Sequence, residues 1–365
     1  MNRVQTYNLI SKLLFSGTAP DYMESIINIL QSPTLNWNRF IAMGSNHLVL
    51  QTIYGKLLQY ELTKYIPSEV HEHLKYIHTL NYQRNTGILQ QVNSINTLFN
   101  RKGIVPLYLK GVGNIIDGLY SNIAERIMHD IDILVPDEQW ELAVDILLQD
   151  GYLGRKVYNL EKRNETKHYP SLSKPGGIAS VEIHRLPLNF KYSDALEINE
   201  LWQNKKLIAG NNECYVMCDN HKIIHNFIHS QMVHGGNYYA KVSLRNLYDL
   251  FLLSRRENLY VILAGMNNYG KQASNYLTIM NKVFGIYKPQ EYVLKQKSNW
   301  YFIRYEINLH SRFISIGSQF ILKIFQRYIK LFFRAFINKE LRISLINRLF
   351  DKNWYGQHLR SYKHI

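Results

Sequence analysis

Apolar residues recur at helical spacing through the first hundred residues of the chain. The pattern is clearest over residues 22–30, 48–62 and 88–99, and prolines separate the three segments. This stretch carries no cluster of residues that would suggest catalysis. The sequence therefore predicts an N-terminal helical region over residues 1–102.

The pattern changes near Gly103 into short apolar runs that are separated by turn residues. Strands are predicted over residues 103–109, 130–135, 152–157 and 178–184. A glycine turn is predicted over residues 110–114 and a helix over residues 136–149, because proline and acids favour a helix start. The order of these elements predicts a compact α/β core over residues 103–190.

Helical periodicity returns after residue 190 and predicts a helical domain over residues 191–288 that packs on the core. Within it, Arg245 and Asp249 lie four residues apart in a predicted helix, a spacing that permits a surface ion pair. The fold class is therefore predicted to be α+β, with a small sheet domain flanked by N-terminal and C-terminal helical regions.

The last segment, residues 289–365, is predicted to be a basic, aromatic and amphipathic helical region. Between residues 321 and 365, ten Lys or Arg against two acids give a net charge of +8. Four cations fall on one helical face: Lys323, Arg327, Lys330 and Arg334. Three interpretations are open for residues 313–365, namely packing on the protein, contact with an anionic membrane surface, or nucleic-acid binding.

The composition indicates a globular protein, but it does not identify the binding partner. Hydrophobic residues make up 46% and charged residues 19% of the 365 residues, as in globular proteins. The net charge of +15 favours a polyanionic partner, such as nucleic acid, nucleotide phosphates or an anionic membrane. The chain has only two cysteines, which excludes a disulfide framework. The sequence shows no apolar run long enough for a transmembrane helix and no clear signal-peptide pattern. We therefore expect a cytoplasmic protein, with peripheral membrane attachment as the alternative.

Asp130 and Asp132 lie one residue apart in an otherwise apolar predicted strand. Alternation along a strand places both carboxylates on one face, where they repel each other. A divalent cation resolves that repulsion, and Mg²⁺ is commonly held by one or two carboxylates together with substrate phosphates. The alternative interpretation is a pair of solvated residues at an exposed strand end.

Glu182 is a third acid among apolar neighbours in a predicted strand of the same sheet, and His184 follows on its face. The turn at Lys110 and Gly111 would let phosphate oxygens approach backbone N–H groups. Three carboxylates can hold two divalent ions, which clamp the attacking and leaving oxygens of a phosphoryl transfer. The set predicts a metal-dependent phosphoryl-transfer site.

Four histidines, His221, His225, His229 and His234, form a second group. The segment HNFIH has the spacing of a zinc-protease motif, but Asn226 stands where that motif needs its general-base glutamate. A structural zinc site is one alternative for these side chains. Alternatively, the histidines are buried in the core, or they line a cleft in which His229 contacts substrate.

The segments LKGVGN, RIMHDIDILV and VEIHRLP together resemble the nucleotidyltransferase family of the DNA polymerase β superfamily, and within it a poorly characterised bacterial group. The resemblance covers about residues 105–250. It implies a polymerase β-like sheet domain and Mg²⁺-dependent transfer of a nucleoside monophosphate from an NTP, such as ATP, to an acceptor, with release of pyrophosphate. Here Val112-Gly113-Asn114 follows Gly111, whereas the superfamily usually has Gly-Ser or Gly-Gly in this turn.

The resemblance also implies roles for matching positions. Asp130, Asp132 and Glu182 would be the catalytic and metal-binding acids, holding Mg²⁺ or alternatively Mn²⁺. Nucleotide phosphates would be bound by Lys110, Gly111, Gly113, Asn114 and Arg126. His184 and His229 are candidate substrate contacts, although His184 would alternatively orient Glu182 and Arg126 would alternatively pair with an acid. A non-catalytic nucleotide- or polyanion-binding module, or a membrane-surface accessory protein, is the competing function. The acceptor, the base and the oligomeric state are not predicted.

Overall fold

The computed structural model describes residues 1–15, 20–154, 166–210, 212–284 and 299–349. Residue contacts divide the chain into two units, Met1–Glu306 and Ile307–Ile365. The helices are α1 (Arg3–Phe15), α2 (Pro20–Leu30), α3 (Trp37–Asn46), α4 (Leu50–Gln59), α5 (Ser68–Asn100), α6 (Lys110–Ile116), α7 (Trp140–Gln149), α8 (Ile198–Gln203), α9 (Asp219–Phe227), α10 (Gly236–Tyr239), α11 (Leu244–Leu253), α12 (Leu259–Ala264), α13 (Gly270–Phe284), α14 (Asn299–His310), α15 (Arg312–Ile337) and α16 (Lys339–Leu349). Together with one mixed sheet, they confirm the α+β class.

Seven strands form that sheet among the described residues, in the order β3-β4-β5-β2-β1-β7-β6. They are β1 (Leu107–Tyr108), β2 (Asp130–Leu134), β3 (Leu153–Gly154), β4 (Leu172–Ser173), β5 (Ser180–His184), β6 (Lys206–Ile208) and β7 (Cys214–Val216). The central strands β2 and β5 are parallel, and β1 pairs antiparallel with β2 and parallel with β7. Strands β2 and β5 therefore lie in the middle of the sheet.

Two features of the sheet differ from the prediction. Strands β6 and β7 lie where helical character was expected after residue 190, because apolar runs this short do not separate strand from helix. The strand predicted over residues 152–157 is seen only as β3, and residues 155–165 lie outside the described part. The boundaries proposed after residues 102, 190 and 288 stay predictions, and residue 288 also lies outside the described part.

Buried asparagines on the long helix α5 hold the loop that enters β2. Asn85 Nδ2 donates hydrogen bonds to the backbone carbonyls of Ile123, at 2.6 Å, and Arg126, at 2.7 Å. Asn81 Nδ2 donates to the carbonyl of Ala124 at 2.6 Å. Because buried carbonyls need such partners, these amides fix the path of the chain just before Asp130.

One face of the central strands is fully apolar and packs into the core. Its side chains are Ile131, Ile133, Val181 and Ile183, each with 0% exposure. Trp140 at the start of α7 anchors that helix to the sheet, since its Nε1 donates to the Ile183 carbonyl at 3.0 Å. The polar residues of β2 and β5 consequently point to the opposite face.

His47, between α3 and α4, makes the stability of the fold sensitive to pH. Its Nδ1 accepts a hydrogen bond from the backbone N–H of Leu244 at 3.4 Å, and burial lowers the pKa of His47 to about 4. The unfolded chain takes up this proton below about pH 6.5, whereas the folded chain does not until about pH 4. The stabilising difference is therefore complete above pH 6.5 and is lost as the pH falls.

We expect His47 to lower the free energy of unfolding by about 1.4 kcal/mol for each pH unit between 6.5 and 4. Urea unfolding at pH 7, 6 and 5 measures this slope. His47→Gln keeps a hydrogen-bond acceptor but does not titrate, so its slope should be shallower by that amount. Equal slopes for the two proteins would contradict the assignment.

The second unit is described up to residue 349 and contains the predicted amphipathic helix as α15. Helix α16 follows it, and Arg342 Nη1 donates to the carbonyl of Phe336 at 2.9 Å across the corner between them. Residues 350–365 and the side chains of Arg327 and Lys330 lie outside the described part. Among the described helices, none has the length and apolar character needed to span a membrane.

Candidate active site

Strands β2 and β5 bring the three acids to one face of the sheet. The strands are parallel and in register, with Asp132 opposite Glu182 and Asp130 opposite Ser180. Side chains at alternate positions share a face, so Asp130, Asp132, Glu182 and His184 project together. Parallel neighbouring strands are joined by a long connection and not by a tight turn. Acids that are 50 residues apart in the sequence, Asp132 and Glu182, can therefore lie side by side in the sheet.

Asp132 lies at the centre of this face, with 1% exposure. Its Oδ1 accepts hydrogen bonds from Lys110 Nζ at 2.6 Å and from His184 Nε2 at 2.9 Å. Burial alone would raise the pKa of Asp132, but the Lys110 ammonium and His184 outweigh it and hold that pKa well below the usual range. Asp132 is therefore a carboxylate at neutral pH.

Lys110 reaches Asp132 from an unusual backbone conformation. Its φ is +50°, in the left-handed region that non-glycine residues rarely adopt. The predicted turn at residues 110–114 is instead the start of helix α6, so the prediction of a turn was wrong. Such strain is typical of functional sites, and here it coincides with a lysine that contacts the central acid.

Glu182 sits beside two histidines at the edge of the cluster. Its Oε2 lies 3.5 Å from His184 Nε2 and 3.8 Å from His168 Nε2. The hydrogen bond from His184 holds the pKa of Glu182 below its ordinary value, although burial opposes this. The Glu182 side chain keeps 21% exposure, so this carboxylate remains open to solvent and substrate.

Asp130 is the carboxylate of the cluster that has no ion-pair or hydrogen-bond partner among the described residues. Burial raises its pKa, and the negative charges of Asp132 and Glu182 raise it further. Asp130 is thus the least satisfied of the three acids. A cation held next to Asp130 would offset the negative charges of Asp132 and Glu182 and favour the ionised form of Asp130.

The donor set fits a divalent metal ion. Ligand atoms of Asp132, Glu182 and His184 lie within 4.8 Å of one another, and this is the one such group found in the described part of the chain. Asp130, which the sequence also predicted as a metal ligand, is not in this group. Carboxylate oxygens are the ligands that Mg²⁺ and Mn²⁺ prefer. The four histidines near residue 230 form no comparable group among the described residues.

His184 occupies the place of an orienting residue. Its side chain has 0% exposure, and its Nε2 is shared between Asp132 and Glu182. A ring enclosed in this way fixes the carboxylates around it, as the outer partners of metal ligands do. Direct contact between His184 and a substrate, one of the two roles expected from the sequence, is not favoured by this position.

The predicted phosphate-binding residues separate into different environments. Gly113 is buried, and a Cβ there would collide with the backbone carbonyl of Tyr108, so packing requires glycine. Gly111 faces Met128 and Arg126. Asn114 is buried, and with His229 it lines a cavity that also includes Lys110.

Arg126 is held by an acid from the helical region. Its Nε and Nη2 donate to the two carboxylate oxygens of Asp249, each at 2.9 Å, and both side chains are buried. The predicted surface pair between Arg245 and Asp249 is therefore wrong, because Asp249 turns inward to Arg126. The position of Arg126 agrees with the alternative role expected from the sequence, in which Arg126 pairs with an acid and does not bind nucleotide phosphates.

Two residues beside the acids were missed from the sequence, Lys167 and His168. Burial, together with the nearby charge of Lys110, lowers the pKa of Lys167, while Asp132 and Glu182 oppose the shift. His168 forms an isolated bridge with His184 that brings its ring next to Glu182. Both lie in a polar stretch with no recognisable motif, so only the pairing of strands reveals them.

Comparison with known families agrees with this geometry. Residues 33–281, more than half of the chain, match the model of a family described as uncharacterised nucleotidyltransferase. No curated protein and no solved structure matches the chain. The matched segment contains the three acids, Lys110 and helices α9 and α11. The chain therefore belongs to this family of uncharacterised nucleotidyltransferases.

Proposed function

We propose that the protein is a metal-dependent nucleotidyltransferase that transfers a nucleoside monophosphate from an NTP to an acceptor and releases pyrophosphate. The observation that carries this proposal is the in-register pair of β2 and β5, which gathers three acids on one face. Asp130, which has no ion-pair or hydrogen-bond partner among the described residues, and the family membership support the same conclusion.

Asp130, Asp132 and Glu182 are the residues that would hold Mg²⁺ or Mn²⁺. When bound, the metal would supply positive charge to the phosphate oxygens of the donor. Lys110 and His184 keep Asp132 ionised and fixed in place. The protein's contribution is thus mainly positioning and preorganised charge.

The chemical step replaces the phosphoanhydride bond at the α-phosphorus of the NTP by a bond to the acceptor. The acceptor oxygen forms a bond to the α-phosphorus of the NTP while the bond from that phosphorus to the bridging oxygen of pyrophosphate breaks. Glu182, which is ionised and partly exposed, receives the acceptor proton if the acceptor is a hydroxyl group. A phosphate acceptor needs no such base.

Thermal unfolding with ATP, GTP, CTP and UTP, each with and without Mg²⁺, tests the proposal. A ligand that binds only the folded state adds about 2.7 kcal/mol at a hundredfold excess over its Kd. We expect a Mg²⁺-dependent rise in Tm with at least one NTP, and a much smaller rise in Glu182→Gln. Pyrophosphate release in an acceptor screen then separates an enzyme from a binding module. No shift with any NTP, in a protein that unfolds cooperatively, would contradict the proposal.

A further inference from the structure

A small basic cavity adjoins the three acids. It has a volume of about 80 Å³ and is lined by residues of α6, α9 and α11, together with the segment between α9 and α10. Lys110 belongs both to this lining and to the acid cluster, because its ammonium contacts Asp132. Four permanent cations line the cavity, Lys110, Arg126, Lys222 and Arg245, together with three histidines, His225, His229 and His234. Asp249 is the acidic side chain in this lining.

Three of the four permanent cations in the lining already have an acid. Lys110 pairs with Asp132, as described above, and Arg126 is held by both oxygens of Asp249. Lys222 is paired with Asp117 and lies 3.1 Å from Asp219. These three charges are therefore neutralised inside the protein.

Arg245 is the exception. It makes no ion pair or hydrogen bond with the described residues, and its Nε is buried without an acceptor. Burial and the nearby charge of Arg126 lower the pKa of Arg245 to about 10, so it is still charged at neutral pH. A partly buried charge and a buried donor without an acceptor are both costly, and a bound anion would reduce both costs.

We infer that this cavity binds a phosphoryl group, with Arg245 as the side chain that meets its charge. The planar guanidinium presents a fork of donors that matches phosphate oxygens. The cavity exceeds the roughly 30 Å³ that a water molecule occupies and suits one tetrahedral anion. His229 and His234 add imidazole nitrogens to the same lining.

The source of the phosphoryl group rests on the proposed function. The nucleotide donor and a phosphorylated acceptor would present the same chemistry next to Lys110. Both sources require Arg245 to face the cavity rather than pair with Asp249, which is the arrangement seen.

Arg245→Met and inorganic pyrophosphate test the inference in the full chain. We expect pyrophosphate to raise the Tm of the unmodified protein, and titration calorimetry to show at least about tenfold weaker binding in Arg245→Met. Without ligand, the variant should be as stable as the parent or more so, because a partly buried charge that has no partner among the described residues is gone. Arg245→Lys should bind with intermediate affinity.

Arg255→Met is the matched control. It removes the same charge from an exposed arginine that lies over the ring of Phe251, at 4.9 Å, and is not part of the cavity lining. It should leave pyrophosphate binding unchanged. Equal pyrophosphate affinity in Arg245→Met and Arg255→Met, or no binding by the unmodified protein, would overturn the inference.

A competition experiment separates the two sources of phosphate. If the cavity takes the donor, a non-hydrolysable NTP with Mg²⁺ displaces pyrophosphate. If it takes the acceptor, the two ligands bind together and their effects on Tm add. Pyrophosphate binding through Arg245 without any NTP binding would keep this inference and reject the proposed function. NTP binding and turnover that are unaffected by Arg245→Met would do the reverse.

Discussion

Asp130→Asn is expected to lower metal-dependent pyrophosphate release by at least about a thousandfold. Asparagine has nearly the same shape as aspartate, but it cannot supply the negative charge that a divalent cation needs. Asp130 also stands on the same face as Asp132, and it is opposite Ser180 in the register of β2 and β5. Steady-state release of pyrophosphate from the NTP that binds measures the effect.

The same substitution should leave the fold intact or make it more stable. The pKa of Asp130 is raised by burial and by the charges of Asp132 and Glu182, which means that ionised Asp130 costs folding free energy at neutral pH. Removing the charge relieves that cost in the metal-free protein. Loss of turnover with an unchanged or higher Tm is therefore the expected combination, a trade between activity and stability.

Asp145→Asn is the control for this experiment. Asp145 is exposed on α7 in the same domain, and its replacement should change neither turnover nor Tm. Turnover in Asp130→Asn within a few-fold of the parent would reject the three-acid site. A large loss of Tm in that variant would instead show that Asp130 is a structural residue.

Local periodicity in the sequence predicted the part of the site that lies on strands. Alternation alone places Asp130 and Asp132 on one face and Ile131 and Ile133 on the other, and the structure shows this arrangement. A third acid flanked by apolar residues was enough to identify Glu182. These inferences succeed because a strand fixes the direction of each side chain from its position in the sequence.

The partners of charged residues could not be predicted in the same way. Spacing within helix α11 suggested that Arg245 and Asp249 pair with each other, but Asp249 binds Arg126, which lies 123 residues earlier in the chain. Helical spacing states which side chains are neighbours on one helix. It carries no information about which elements pack against that helix, and buried charges choose partners across such contacts.

Short elements were also beyond the reach of the sequence. Strands β6 and β7 have three residues each, and the glycines after Leu109 suggested a turn where helix α6 begins. Glycine is unfavourable inside a helix, yet Gly113 is there because no side chain fits against Tyr108. Tertiary packing overrides local preference at these positions.

Asp249→Asn is expected to lower the free energy of unfolding by about 3–5 kcal/mol. The Asp249 carboxylate accepts hydrogen bonds from Nε and Nη2 of Arg126 and from the hydroxyl of Tyr120, and its side chain is 3% exposed. Without it, Arg126 becomes a buried charge that has lost its carboxylate, and the charge of Arg245 lies close by. Chemical denaturation of the two proteins at neutral pH measures the difference.

Two further variants distinguish the loss of the ion pair between Arg126 and Asp249 from the cost of leaving the Arg126 charge without its carboxylate. Removing both partners, as Arg126→Met with Asp249→Leu, should restore most of the stability, since apolar pairs often replace buried ion pairs without penalty. Asp150→Asn breaks the partly exposed pair with Lys174, at 2.8 Å, and should cost under about 1 kcal/mol. If Asp249→Asn costs no more than Asp150→Asn, then the buried pair does not stabilise the helical region against the sheet. In that case Arg126 is free to turn towards a ligand, which is the other role that the sequence suggested for it.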